Sequence, residues 1–238
     1  MEKVSGLVIA LLIYVFNVFS QEKGYIAVSL GPSIPLSDFA SKDIDKESAG
    51  FAKTGAIFDI SFGYKIGKNF GVAALLRGQA NKTDAQAMAN EMGNKMSFQV
   101  DTRVESKAWN IGAFMLGGYA TVPLEKKLSF ESRIMFGFMS ATYPNVTFTF
   151  SDADESVLVK RTGSTATSFA YLMGAGIRYN AGKRLCLLAN FDYLGSNPEY
   201  KDVETTLETP TIFERISKDT FSQSFGAFNI GVGVGYRL

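Results

Sequence analysis

From Gly24 onward, apolar residues recur at every second position, the signature of strands with two unlike faces. The last segment is the clearest. Phe228, Ile230, Val232, Val234, Tyr236 and Leu238 share one face; Ala227, Asn229, Gly231, Gly233, Gly235 and Arg237 share the other. The same alternation sets Ile26, Val28 and Leu30 against Ala27, Ser29 and Gly31. It sets Phe58, Ile60, Phe62, Tyr64 and Ile66 against Asp59, Ser61, Gly63 and Lys65, and Phe70, Val72, Ala74 and Leu76 against Gly71, Ala73, Leu75 and Arg77. A fourth segment gives Trp109, Ile111, Ala113, Met115 and Tyr119 as the large face, opposite Asn110, Gly112 and Gly118. Leu128, Phe130, Ile134, Phe136 and Phe138 oppose Glu131, Arg133 and Gly137. Tyr171, Met173, Ala175, Ile177 and Tyr179 oppose Gly174, Gly176, Arg178 and Asn180; Leu185, Leu187, Ala189, Phe191 and Tyr193 oppose Asn190 and Asp192. That makes eight strands, an even number that closes an antiparallel barrel with both chain ends on one side.

Connection lengths orient the barrel. Positions 67–68, 123–127 and 181–183 are tight turns, and between them lie long connections near 33–50, 80–107, 143–167 and 196–220. Short periplasmic turns alternating with long extracellular loops are the pattern of an outer-membrane protein. The predicted fold is therefore all-β: an eight-stranded antiparallel up-and-down transmembrane β-barrel. A soluble barrel of lipocalin type also alternates, but it turns its large apolar residues inward. Here the minor face carries Asp59, Lys65, Arg77, Glu131, Arg133, Arg178, Asp192 and Arg237 among glycines and small residues. Such charges must be paired if enclosed. A small, charge-paired inside with an aromatic outside belongs in lipid. Leu75, Phe114, Leu116, Met135 and Leu188 are expected to add an apolar component to the interior.

The leading segment reads differently. Leu7 to Phe19 is a 13-residue apolar run, short of the ~20 residues a spanning helix needs. It follows Lys3 and ends at Val18-Phe19-Ser20, so residues 1–20 are expected to be a cleaved signal peptide and 21–238 the barrel domain.

Composition narrows the chemistry. The 238 residues carry a net charge of +1, which lacks the basic surplus of a nucleic-acid binder. Zero histidine removes Ser-His-Asp and Cys-His catalysis and His-ligated metal centres. A single cysteine, Cys186, makes no internal disulfide and falls on the inward face as packing. No catalytic residue, cofactor or metal site is expected. Asp152, Asp154 and Glu155 are close enough to suggest calcium, but the loop lacks an EF-hand's ligand spacing and reads as a solvated acidic turn. The sequons at Asn81 and Asn145 carry no expectation of glycosylation in a bacterial protein. Thr83-Asp84-Ala85-Gln86 reads as a capping box, and Ala85, Met88, Ala89 and Met92 follow at helical spacing, which predicts a short helix over the outer mouth. The turns at the other end are basic, with Lys68, Lys126, Lys127, Lys183 and Arg184 against Glu125.

Register yields two finer expectations. A turn at Gly67-Lys68 pairing Ile66 with Asn69 makes Asp59 and Arg77 direct or diagonal neighbours inside the barrel. Placing Leu128 level with Tyr179 carries one continuous register up to Ser151 opposite Ser156. Residues 145–162 are then a β-ribbon projecting beyond the membrane with open edges, which invite strand addition. Val146, Phe148, Phe150, Val157 and Val159 are its candidate partner surface.

Gly31-Pro32-Ser33-Ile34-Pro35-Leu36-Ser37-Asp38-Phe39 resembles the first-strand ending of small outer-membrane barrels of Bacteroidetes-type bacteria. The chain's end resembles the signal read by the barrel-assembly machinery, with Asn229, Gly231, Val234 and Tyr236 in its places, although it closes on Leu238 rather than an aromatic. The likeness is to bare eight-stranded proteins of the OmpX or OmpW kind, and it implies outer-membrane lipid and the assembly machinery as partners of a monomeric, non-enzymatic protein. Three roles stay open: an interaction or structural barrel whose outer loops bind an extracellular or envelope protein, a passage for a small hydrophobic molecule, and a component of an envelope secretion or assembly machine.

Overall fold

The computed structural model describes residues 24–95, 101–151, 156–209 and 213–238. The signal segment at 1–20 and the acidic turn at 152–155 lie outside the described residues. In chain order the elements are β1 (Gly24–Leu36), α1 (Ser37–Ala40), β2 (Gly55–Lys65), β3 (Phe70–Asn81), α2 (Ala85–Lys95), β4 (Asp101–Ser106), β5 (Trp109–Pro123), β6 (Leu128–Thr142), β7 (Val146–Ser151), β8 (Ser156–Arg161), β9 (Thr165–Asn180), β10 (Leu185–Ser196), β11 (Glu199–Glu208), β12 (Phe213–Ser222) and β13 (Phe225–Arg237).

Eight of these strands close a barrel in the order β1-β13-β10-β9-β6-β5-β3-β2. Every pairing is antiparallel, and β1 against β13 seals the wall. Closure removes the open edges that water would otherwise have to satisfy in hydrocarbon. The outward faces form an apolar belt, with Leu30 60%, Ile134 55% and Val232 63% exposed on three different strands. Exposure of that kind all round a closed wall is stable only against lipid. The chain is a transmembrane β-barrel.

The interior is packed rather than hollow. Leu75, Met115, Met135, Met139, Leu172 and Leu194 are fully buried, as side chains in an eight-stranded barrel are expected to be. One strand is turned over relative to the sequence reading. Trp109, Ile111, Ala113, Met115 and Tyr119 face inward, whereas Phe114 and Leu116 are exposed to lipid. Register is the reason: Ala113 stands beside Arg77, and a residue level with an inward neighbour shares its face. Leu75, Met135 and Leu188 are inward as expected.

Outside the belt, five barrel strands continue as a second sheet, in the order β12-β11-β8-β7-β4. β7 and β8 keep the register of β6 and β9 across the irregular residues 143–145 and 162–164, with Leu128 opposite Tyr179 at one end and Ser151 opposite Ser156 at the other. The ribbon is not free-standing, however. β4 pairs along β7 and β11 pairs along β8, so both expected open edges are occupied. The sheet's edges are β4 and β12.

α2 forms where the periodicity puts it, with Met88 and Ala89 buried. Its cap is Asp84 rather than Thr83. Asp84 Oδ1 accepts the Ala87 N–H at 3.2 Å, while the Thr83 hydroxyl donates to the Lys107 carbonyl. Aspartate in that position also opposes the positive end of the helix dipole.

Candidate functional site

Six of the eight inward charges gather into two clusters. At the barrel's middle, Arg77 donates to Asp59 through Nε (2.8 Å) and Nη2 (2.6 Å), and Nη2 also reaches Asp192 at 3.0 Å. Arg133 grips the same Asp192 through Nε (2.9 Å) and Nη2 (2.6 Å). Two arginines and two aspartates thus form a neutral chain in which Asp192 is the shared link. The Arg77 and Asp192 side chains are 0% and 1% exposed. Burial on that scale is tolerable only because each charge faces an opposite one, although Arg77 Nη1 has no hydrogen-bond partner. Gly174 lies level with both Arg133 and Asp192, and a Cβ there would stand 2.0 Å from Asp192 Oδ1. The missing side chain lets the guanidinium cross between strands.

Nearer the turns, Arg178 pairs with Glu131 at 2.8 Å, Thr121 donates to Glu131 at 3.0 Å, and the Arg178 guanidinium lies 3.9 Å from the centre of the Tyr25 ring. Lys65 and Arg237 do not join either cluster. Lys65 is exposed at the rim, and Arg237 donates to the carbonyls of Gly182 and Lys183. Direct opposition of Asp59 and Arg77 follows from a slightly longer turn than expected, with the Ile66 N–H bonded to the Phe70 carbonyl.

At the outer end, an aromatic cluster fills the mouth. Trp109 packs edge-on against Phe39 (5.4 Å) and Tyr143 (5.1 Å), and Tyr143 packs against Phe221 (5.3 Å). The Trp109 indole N–H donates to the Gly50 carbonyl at 2.9 Å, and Gln223 donates to the Ser48 carbonyl at 2.6 Å, so the first long loop is tied down over the mouth. Arg161 covers the cluster with its guanidinium 4.7 Å from the Phe221 ring centre. Sequence reasoning missed this plug because it sent Trp109 outward; an available signal was the gathering of Phe39, Tyr143, Tyr200, Phe221 and Phe225 at strand-loop junctions.

Asn81, the first sequon residue, is buried within the barrel and donates to the carbonyls of Ser33 and Lys53, which closes it to modification. Cys186 is fully buried and inward.

The outer sheet has two distinct faces. Phe148 is opposite Val104 on one side and Val159 on the other, and Val159 is opposite Leu207. Phe150 is opposite Val157, and the Phe148 and Phe150 rings run nearly parallel, 6.2 Å apart. Val146, Phe148, Phe150, Val157 and Val159 therefore lie on one apolar face. The other face carries Thr147, Thr149 and Thr206 with the ion pairs Lys160–Glu208 (2.5 Å) and Arg103–Glu105 (2.9 Å). Val146 is buried, and Phe148 packs on the core that includes Val104 and the α2 residues Met88 and Ala89. α2 covers the β4 side; Phe150, Val157, Val159 and Leu207 stay half exposed.

In the last strand, Asn229 and Gly231 are buried in the interior, while Val234 and Tyr236 face lipid.

No protein-family model matches the chain, and no curated protein resembles it closely in sequence. Among solved structures, it is similar to Ail, the attachment invasion locus protein of Yersinia pestis, with 14% identity over 92% of this chain and 100% of that one, and a TM-score of 0.47. It is also similar to the Neisserial surface protein A, with 10% identity, coverage of 90% and 97%, and a TM-score of 0.47. The outer-membrane protein OprG of Pseudomonas aeruginosa gives 10% identity, coverage of 91% and 96%, and a TM-score of 0.42. Ail and OprG are outer-membrane proteins.

Proposed function

We propose that this protein is a non-enzymatic envelope barrel that presents the outer five-stranded sheet to another envelope or extracellular protein. The observation that carries the proposal is the half-exposed apolar face at Phe150, Val157, Val159 and Leu207, held outside the lipid belt on the outer sheet. A sheet facing water on both sides has no need of such a face, and a protein partner would cover it. β12, with no further strand beyond it among the described residues, offers backbone groups for strand addition beside that face. The open edges expected on β7 and β8 are replaced in this role by β12.

Passage along the barrel axis has less in its favour. The central ion chain and buried methionines fill the middle, and the aromatic cluster fills the outer mouth. During biogenesis, Asn229, Gly231, Val234 and Tyr236 serve as the assembly signal, with its polar and small members inward and its large ones toward lipid.

The test is complementation of a deletion strain. Phe150→Thr with Val157→Thr keeps β-branched, strand-compatible residues but removes apolar surface. It is expected to leave a folded, heat-modifiable barrel in the outer membrane and to lose the phenotype or the partner. Full complementation by that folded variant would overturn the proposal.

A further inference from the structure

We propose a second site, at the periplasmic mouth of the barrel, for a phosphate-type oxyanion. A cavity of about 140 Å³ opens there, at the end where the short turns lie. Lys65, Arg178 and Arg237 line it, together with the hydroxyl side chains of Tyr119, Thr121 and Ser129. No carboxylate lines it. Glu131 balances Arg178 from deeper in the barrel, which leaves Lys65 and Arg237 as two cations that no carboxylate pairs with among the described residues.

Hydrogen bonding points to the same ligand. The Nε–H groups of both Arg178 and Arg237 are buried without an acceptor. A buried guanidinium N–H left unpaired is costly, and a charged oxygen acceptor is the partner that relieves it best. The Nη2 groups are already taken, by Glu131 at Arg178 and by two backbone carbonyls at Arg237, so a tetrahedral oxyanion would accept from the two Nε–H groups and an ammonium. The surrounding turns add Lys68, Lys126, Lys127, Lys183 and Arg184 against Glu125, a field that concentrates anions at this end. Two sources present the same chemistry: the headgroup of an inner-leaflet phospholipid, and a free phosphate in the periplasm. This site is independent of the outer sheet.

The experiment uses the refolded barrel in a phosphate-free, non-ionic detergent and follows the arginine Nε–Hε resonances by NMR. One arm titrates inorganic phosphate. The other dopes the micelles with phosphatidylglycerol, with diacylglycerol as the phosphate-free control. Saturable shifts of the Arg178 and Arg237 Nε–Hε signals are expected with at least one phosphate probe and not with diacylglycerol, and the arm that responds identifies the source. Lys65→Gln, at an exposed rim position, is expected to weaken binding about tenfold, the size of one lost charge-assisted contact. Failure of both probes to move these signals, or unchanged affinity in a folded Lys65→Gln barrel, would overturn the site.

Discussion

Asp192 decides the energetics of the barrel's middle because two arginines depend on it. Removing Asp59 still leaves Arg77 bonded to Asp192 at 3.0 Å. Removing Asp192 strands Arg133, whose only carboxylate partner among the described residues it is. Breaking a buried pair costs ~3–5 kcal/mol because a charge is left uncompensated. Asp192→Ala is therefore expected to destabilise more than Asp59→Ala, and Asp59→Ala to be partly rescued by adding Arg77→Ala. Urea unfolding in lipid vesicles, read by gel mobility, measures all of these; additive losses for the Asp59–Arg77 pair would contradict the coupling.

A second residue-scale expectation concerns acid. Lys42 bonds Asp84 at 2.7 Å and, with the Ala87 N–H, holds its carboxyl below the usual aspartate range, against the opposing effect of burial. A depressed folded value means that the stabilisation is complete above the ordinary pKa of about 4 and lost as pH falls through the lower folded value. Amide protection at Ala87 and Met88 should weaken over that acid interval. Asp84→Asn, which keeps a capping oxygen, should lose this pH dependence, while Asp84→Ala should also cost about 1 kcal/mol of helix stability at neutral pH.

Among the elements, the β7–β8 hairpin is separable from the wall beneath it. β6 and β9 pair from Leu128 opposite Tyr179 to Thr142 opposite Thr165 without any help from the hairpin. Replacing residues 145–162 with a short turn should therefore leave a folded barrel and free the edges of β4 and β11, which now pair with the hairpin. Limited proteolysis confined to those two strands would show it; loss of the barrel would refute the separation. β5 teaches the complementary point. Both of its faces are apolar, Met115 on one and Phe114 on the other, so alternation alone does not say which meets lipid. Its neighbour β3 decides, because Arg77 has to be inside and Ala113 is level with it.

At the scale of the whole molecule, the lipid belt governs insertion. Ile60 and Phe136 sit within it on β2 and β6, three places apart in the wall order. An arginine at either position costs ~2–4 kcal/mol at mid-depth, so Ile60→Arg and Phe136→Arg are expected to slow or block folding into bilayers. The unheated gel shift of the folded form is the readout, and normal folding of both variants in detergent-free buffer would argue against the membrane barrel.

Much of this architecture is local information. Alternation with period two, tight turns and the minor-face charges depend only on neighbours along the chain, so barrel-strand positions, barrel class, the nearness of Asp59 to Arg77 and the β6–β9 register were legible in the sequence, whereas the direct opposition of Asp59 and Arg77 came from the longer turn. What only the tertiary structure decided is which groups meet across many strands. Asp192 reaches Arg77 across 115 positions of sequence, Trp109 seals the mouth against Phe39 and Gly50, and β4 and β11 close the edges of a hairpin that alone would be open. Barrel closure makes these contacts, bringing side chains together around a circumference; an alternating pattern specifies which side of a strand a residue takes, not its neighbour across the lumen.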